Sequence, residues 1–504
     1  MPPDWVRDAV FYQIFPDRFA ASARVPKPGP MEPWDSPPTV HGFKGGDLLG
    51  IVERLDYLAE LGITALYLNP VFASASNHRY HTYDYMAVDP LLGGDAALRE
   101  LLDACHARGM RVVLDGVFNH ASRGFWPFHH VLEAGRHSPY RDWFHLNAEM
   151  LDADRQIRAY PEAMLRGELG AEWGEEHAAG TQSLDTLGYR AWWDLPALPK
   201  LNTDNPHVRD YLFGVAEHWI RFGIDGWRLD VPHEITDDEF WREFRRRVRA
   251  INPEAYIVAE IWHEAPATLR GDQYDALMGY PLAEAIISHV TGSHLDSRVV
   301  GQHGELAANI RPDDAPTFRA RVERAMSVYE PATTASQLNL IGSHDTPRFR
   351  TMAGGDLPSL RLALLVLLTL PGAPCIYYGD ELGMEGEMDP GCRGAFPADP
   401  ANPANPANFA DNEMLSYTRA LIALRHAHPL LRHGGVQFLA ADGMASVYAR
   451  TDADATMIVA INPGDEPARI SLPEGFVAVP LPGQQPWTDG QLAPRSGYVL
   501  TATP

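Results

Sequence analysis

Four short segments of the chain carry an acid or an arginine–acid pair: Asp115-Gly-Val-Phe-Asn119-His120, Gly226-Trp-Arg228-Leu-Asp230, Ala259-Glu260-Ile-Trp262 and Gly342-Ser-His344-Asp345. Side chains alternate faces along a strand, so Arg228 and Asp230, two residues apart, point the same way. A guanidinium beside a carboxylate favours its ionised form, the state a nucleophile needs. Glu260 ends the following strand, among the apolar neighbours Ala259, Ile261 and Trp262, a setting that favours the protonated form of a general acid. Neighbouring strands lie ~4.8 Å apart. Carboxyls at matched depth can therefore approach the roughly 5–5.5 Å gap of a retaining glycosidase. Asp345 supplies a third acid, able to bind sugar hydroxyls as a ring flattens toward an oxocarbenium ion. Any one of these acids alone reads as a surface or salt-bridge group; the set in order does not.

The elements that must position these groups are legible as short apolar runs alternating with helix-period segments, the pattern of a parallel α/β fold. Strands are expected at Val10–Phe15, Thr64–Leu68, Arg111–Val117, Ile224–Asp230, Tyr256–Ile261, Tyr274–Met278, Leu338–Ile341 and Pro374–Tyr378. Eight is the number a closed (β/α)8 TIM barrel needs, and in such barrels catalytic groups sit at the C-terminal strand ends. Leu48, Ile51, Val52, Leu55, Leu58 and Leu61 recur at helical spacing, and Asn205-Pro206 reads as a helix start. More than 100 residues separate the third strand from the fourth, so that connection must carry structure of its own. Its aromatics (Phe125, Trp126, Phe128, Trp143, Phe144, Trp173, Trp192, Trp193) point to a small inserted domain over the active face. Beyond about residue 430, Val436–Ala440, Ser446–Arg450 and Thr456–Ile461 read as strands of a C-terminal β-sandwich. The expected division is 1–119 and 199–430 for the barrel, 120–198 for the insert and 431–504 for the sandwich. Pro26–Pro38 and Asp399–Asn408 are Pro-rich stretches that read as extended loops.

Composition narrows the partners. A formal net charge of −24 over 504 residues disfavours nucleic acid or an anionic membrane. Cys105, Cys375 and Cys392 are too few for a disulfide framework and lack metal-site spacing, so core packing is expected. The beginning of the chain has no apolar stretch of signal-peptide length, and no segment is long enough to span a bilayer; a cytoplasmic location is expected.

The order and wording of the four segments resemble the α-amylase superfamily of retaining glycoside hydrolases over nearly the whole chain. The resemblance implies Asp230 as nucleophile, Glu260 as general acid/base and Asp345 as transition-state stabiliser, with Arg228 supporting the nucleophile. It implies His120 and His344 as ligands of sugar hydroxyls at the cleavage subsite. The segment Asn77-His78-Arg-Tyr80 resembles a further subsite motif, in which His78 bonds a hydroxyl and Tyr80 stacks on the sugar. Asp389-Pro-Gly-Cys392-Arg393 resembles the family's paired Asp and Arg that grip the same sugar. Asp17, Asp84 and Asp115 look structural.

Leu198-Pro199-Lys200-Leu201-Asn202 is similar to the Met-Pro-Lys-Leu-Asn block of the neopullulanase, cyclomaltodextrinase and maltogenic amylase subfamily. There Glu234 and Trp262 would line the acceptor side, and Pro232 and His233 replace the commoner small residues. The implied activity is retaining hydrolysis of α-1,4-glucosidic bonds in maltooligosaccharides, cyclodextrins or pullulan, with transglycosylation. The alternatives are an α-glucosidase, a transferase or isomerase of the isomaltulose or trehalose synthase type, or a non-catalytic sugar-binding scaffold. The first barrel strand begins near residue 9, so the subfamily's N-terminal β-domain is expected to be lacking, and with it the usual dimer; a monomer or weak dimer is expected. No metal ligand set is expected. Asn119 matches one calcium ligand of the family, but Glu234 stands where a histidine ligand usually lies. Gly45-Gly46-Asp47 is half of an alternative calcium loop whose other half is replaced by Ala20-Ala-Ser-Ala-Arg24.

Overall fold

The computed structural model describes residues 1–152, 157–161, 182–397, 412–472, 474–488 and 490–502. Trp173 and the Pro-rich stretch Asp399–Asn408 lie outside the described residues. All eight expected barrel strands form: β1 Phe11–Ile14, β2 Ala65–Leu68, β3 Arg111–Gly116, β4 Gly226–Leu229, β5 Tyr256–Ala259, β6 Ala276–Leu277, β7 Leu338–Asn339 and β8 Ala373–Tyr377. They pair in parallel in the order β6-β5-β4-β3-β2-β1-β8-β7. A parallel bridge between Met278 and Leu338, with Gly279 N–H donating to the Leu338 carbonyl at 2.8 Å, closes the ring. The strands are shorter than their apolar runs suggest, β6 most of all. Residues that leave the ladder at the C-terminal ends become the site.

Alternation sorts the strand side chains into two sets. Tyr12, Leu66, Leu114, Trp227 and Ile257 face outward into the core beneath the helices, whereas Phe11, Ala65, Val113, Val258, Ala276 and Cys375 fill the barrel interior. Gln13 and Arg228 fall on the inward phase, and both are fully buried. At Gly226 a Cβ would lie 2.2 Å from the Tyr256 carbonyl oxygen, so only glycine permits this approach of β4 to β5.

The run from Leu48 to Leu61 is two helices rather than one, Leu48–Glu53 and Leu55–Leu61, divided at Arg54 (φ −107°, ψ 3°). Apolar spacing continues across the break because both helices bury the same face. Asn205 caps the helix Pro206–Phe222, its Oδ1 accepting from His207 N–H at 2.9 Å. Between β3 and β4 the chain forms the helix Trp126–Ala134 and short antiparallel bridges, His120 with Lys200 and Phe144 with Leu201. These bridges hold the connection against the barrel mouth.

The C-terminal region is an antiparallel sheet of β9 Gly435–Asp442, β10 Ala445–Thr451, β11 Thr456–Asn462, β13 Phe476–Ala478 and β15 Ser496–Ala502. A two-stranded ribbon, β12 Ala468–Arg469 with β14 Gln491–Leu492, is its thin second layer. One face of the sheet (Tyr448, Val459, Val499) joins the barrel's core and the other (Val447, Ile458, Leu500) packs under the ribbon. All three cysteines are free and buried. Among the described residues no helix is long and apolar enough to cross a membrane.

Candidate active site

Leu229 of β4 and Ala259 of β5 are register partners, and the next residue of each strand is an acid. Asp230 and Glu260 therefore leave adjacent strand ends at the same depth, with Glu260 N–H donating to the Leu229 carbonyl at 3.0 Å. Arg228 lies beneath both. Its Nη1 donates to Asp230 Oδ1 (3.1 Å) and to both oxygens of Asp115 on β3 (2.8 and 3.0 Å). Its Nη2 forms an ion pair with Glu260 Oε2 at 3.0 Å, outside the angular range of a hydrogen bond. Asp230 Oδ2 is buried and makes no hydrogen bond among the described residues, which leaves one carboxylate oxygen anchored and the other available.

Glu260 is surrounded by donors rather than by apolar groups alone. Val231 N–H donates to Oε2 at 3.1 Å and Trp262 Nε1–H to Oε1 at 3.3 Å. Val231 reaches this position only in the left-handed region (φ 35°), which a β-branched residue rarely adopts. Such strain is retained where the surroundings over-determine it, here by the two carboxylates on either side. For Asp230 the balance differs from the expectation that Arg228 dominates. Burial, followed by the nearby Glu260 carboxylate, pushes its carboxyl well above the ordinary carboxylate range against the pull of Arg228. One guanidinium serves three carboxylates, and like charges this close titrate as a coupled set.

Asp345, after β7, is the most open of the three acids, with its side chain 30% exposed. Its Oδ2 lies 3.1 Å from His344 Nε2 and its Oδ1 3.3 Å from Arg393 Nη2. Arg393 in turn pairs with Asp389 through Nη1 at 3.0 Å, so these sequence-predicted residues converge on one side of the mouth. Tyr80 and His344 rings are parallel, with centroids 5.3 Å apart. The Tyr80 hydroxyl donates to Asp115 Oδ2 at 2.7 Å. His78 lies beside it, its Nδ1 accepting from Tyr80 N–H at 3.2 Å. His120 is fully buried and its Nε2 is unpartnered among the described residues. Burial lowers the His120 ring to about 3 and the His344 ring well below the ordinary imidazole range, so both are neutral donors or acceptors.

Trp262 forms an aromatic wall with two residues that sequence reasoning missed. Its ring stacks on Tyr280 (3.7 Å) and on His303 (4.7 Å). Tyr280 follows the short β6, and His303 comes from the long connection to β7, so no motif signals either. The paired Trp192 and Trp193 extend from His120, with stacked centroids 4.9 and 4.8 Å apart. Their aromatic character was visible in the sequence; the contact of Trp192 with His120 was not. Glu234 does not stand free in the site: Oε2 is 3.2 Å from Lys200 Nζ. Asp17 accepts from Arg18, Lys44 N–H and Gly45 N–H, and Asp84 from Met86 N–H. Asp115, also read as structural, lies at the centre of the charge network.

The oxygen donors that could hold calcium do not fit a cation. Lys200 Nζ donates to Asn119 Oδ1 (2.6 Å) and to the Glu234 carbonyl (2.9 Å), filling that position with an ammonium. Asp47 Oδ2 likewise accepts from Lys27 Nζ at 3.0 Å. Hard cations need several convergent free oxygens. Among the described residues no group of three His, Cys, Asp or Glu side chains could hold a metal.

Comparison with known proteins agrees with this geometry. The family model of the α-amylase catalytic domain matches residues 13–413. A cyclomaltodextrinase of Geobacillus thermopakistaniensis is 42% identical over 94% of this chain and 71% of its own length. The native form of the Nostoc punctiforme debranching enzyme superposes with a TM-score of 0.82 at 41% identity, over 100% of this chain and 99% of that one. The ligand-free cyclic α-maltosyl-(1→6)-maltose hydrolase of Arthrobacter globiformis does so with a TM-score of 0.82 at 34% identity, over 99% and 100%. The chain is therefore a glycoside hydrolase that belongs to the α-amylase family.

Proposed function

We propose that the protein hydrolyses α-1,4-glucosidic bonds of maltooligosaccharides, cyclodextrins or pullulan with retention of configuration. The observation that carries this reading is the pair Asp230 and Glu260 on adjacent strand ends, joined through Arg228, with Asp230 Oδ2 unengaged. In the first step Glu260 gives its proton to the glycosidic oxygen while Asp230 Oδ2 attacks the anomeric carbon, forming a glycosyl ester and releasing the leaving sugar. In the second step Glu260 takes a proton from water, which displaces Asp230 and returns Glu260 to its acid form. Asp345, His120 and His344 would bind ring hydroxyls, and Arg393 and Asp389 the next group outward. Trp262, with Tyr280 and His303, would hold the acceptor sugar, whose capture of the intermediate gives transglycosylation.

A cytoplasmic setting suits the three free, buried thiols. No resident metal is proposed, since ammonium groups fill the oxygen sets. A second reading, action on α-1,6 bonds, is favoured by the end-to-end match to the debranching enzyme and the cyclic α-maltosyl-(1→6)-maltose hydrolase. Product profiles on maltotriose, β-cyclodextrin, pullulan and sucrose test both. Maltose and glucose from the first two support the primary reading, and panose from pullulan assigns its cleavage to α-1,4 bonds. Maltotriose from pullulan would instead assign α-1,6 cleavage. Action on sucrose alone would reject both.

A further inference from the structure

Gln13 is an inward-facing amide on β1, fully buried, with no part in the chemistry described above. Its Nε2 lies 2.9 Å from His344 Nδ1 and 3.2 Å from Asn69 Oδ1. Asn69 follows β2, and its Nδ2 donates to the Tyr80 hydroxyl oxygen at 3.0 Å. Tyr80 Oη is also 2.6 Å from His344 Nε2. The four residues thus close a ring of hydrogen bonds, from which the Tyr80 hydroxyl leads to Asp115.

The direction of every bond in this ring is fixed from one end. Asp115, held by Arg228, can only accept, so the Tyr80 hydroxyl must spend its single proton there. Tyr80 oxygen is then an acceptor for its other two partners, Asn69 Nδ2 and His344 Nε2. His344 Nε2 therefore carries a hydrogen. With Asn69 oriented by the same oxygen, its Oδ1 faces Gln13 and requires a donor. Gln13 must present its NH2 group to Asn69 Oδ1 and to the bare Nδ1 of His344. No alternative flip of either amide satisfies all four contacts.

We infer that Gln13, supported by Asn69, is a positioning residue that locks His344 in the neutral tautomer protonated at Nε2. The inference rests on the reading of this site as glycosidic. In that tautomer Nε2–H, which donates to the Tyr80 oxygen, also lies 3.1 Å from Asp345 Oδ2, so the ring offers a proton rather than a lone pair at the edge where a sugar hydroxyl would bind. The opposite tautomer would turn a lone pair toward the Asp345 carboxylate and give the hydroxyl no donor. Burial, then Arg393 and Arg228, oppose protonation of His344, with His78 nearby; the Asp345 and Asp115 carboxylates lie on the other side of the balance. His344 is also held from behind, its carbonyl accepting from Arg393 Nε at 2.9 Å. An amide, which donates without adding charge, suits Nδ1; a carboxylate would not.

The test is nitrogen NMR of histidine-labelled full-length protein, with His344 assigned by its loss in His344→Gln, alongside kinetics on maltotriose. The parent should show His344 Nε2 protonated and Nδ1 bare throughout the neutral range. The isosteric Gln13→Glu should move a proton to Nδ1. Its kcat should fall roughly 10- to 100-fold, by analogy with the loss of the partner that orients a metal-ligating histidine. KM should change little, and a new titration should enter the rate profile as the introduced carboxylate and the His344 ring share a proton. Gln13→Leu should give mixed tautomers and a similar loss of kcat without the new titration. Unchanged His344 nitrogens and an unchanged pH profile in Gln13→Glu would overturn the inference, whatever its stability. A parent with the Nε2–H tautomer that cleaves no glucan would reject the glycosidic reading instead.

Discussion

Asp230 and Glu260 engage the two arms of a single guanidinium: Arg228 Nη1 binds Asp230 Oδ1 at 3.1 Å and Nη2 lies 3.0 Å from Glu260 Oε2. The same Nη1 binds Asp115, so three carboxylates from three consecutive strands depend on one buried cation. A lysine is a point charge and cannot span them. Arg228→Met should lose roughly 3–5 kcal/mol, the cost of stranding buried partners of a broken ion pair. Urea unfolding reads this directly. Arg228→Lys should lose less stability but nearly all turnover. Parent-like unfolding midpoints in both variants would refute the shared-cation arrangement.

Asp230 contributes a pH-dependent cost to stability. Burial and Glu260 raise its folded carboxyl above its unfolded value, so the native state binds more protons than the unfolded state. The sign then follows: stability falls as pH rises from the unfolded carboxylate value, roughly pH 4, through the raised folded one. Asp230→Asn removes that term. The variant should lose turnover because an amide forms no glycosyl ester. It should also melt above the parent at neutral pH, with the difference closing toward pH ~4. An equal or lower melting temperature at neutral pH would contradict the burial argument.

Glu260→Gln keeps the shape of the side chain and removes its proton. Turnover of maltotriose should fall roughly 10²–10⁴-fold, the usual contribution of a general acid. The first step on glucosyl fluoride, whose leaving group needs no proton, should be largely spared. Equal losses on the two substrates would assign the acid elsewhere.

The barrel was legible because buried parallel strands are continuous apolar runs, and all eight formed where such runs occur. Placing Arg228 and Asp230 on one face needed only the two-residue repeat. The ring of Gln13, Asn69, Tyr80 and His344 was not legible, because it joins four separate segments and an isolated amide in a strand carries no periodic signal. Tyr280 and His303 stayed hidden for a related reason: β6 is two residues long, and stacking on Trp262 depends on a long connection that no local pattern fixes. The break at Arg54 was invisible because apolar spacing persists through it. The reading of Asp230 as governed by Arg228 failed because burial and the Glu260 carboxylate outweigh a cation shared among three acids, a balance the linear sequence does not display.

Lys200 accounts for the expected metal behaviour. Its ammonium joins Asn119 Oδ1 to the Glu234 carbonyl, bringing the connection after β3 to the end of β4. Chelator should leave activity and melting temperature unchanged, and millimolar calcium should not raise the latter. A ligand bound only by the folded state would raise it with concentration. Lys200→Met leaves buried acceptors unpaired and should cost about 1–3 kcal/mol by thermal or urea unfolding. A calcium-dependent rise of several degrees in the parent, reversed by chelator, would show that the folded protein binds calcium despite these ammonium groups.

The central claim, a covalent intermediate on Asp230, is tested most directly by the configuration of the first product. Proton NMR of maltotriose or β-cyclodextrin hydrolysis, recorded before mutarotation, should show the α-anomer accumulating first, since two displacements at the anomeric carbon restore its configuration. The β-anomer appearing first would mean a single displacement by water. It would contradict the assignment of Asp230 as nucleophile.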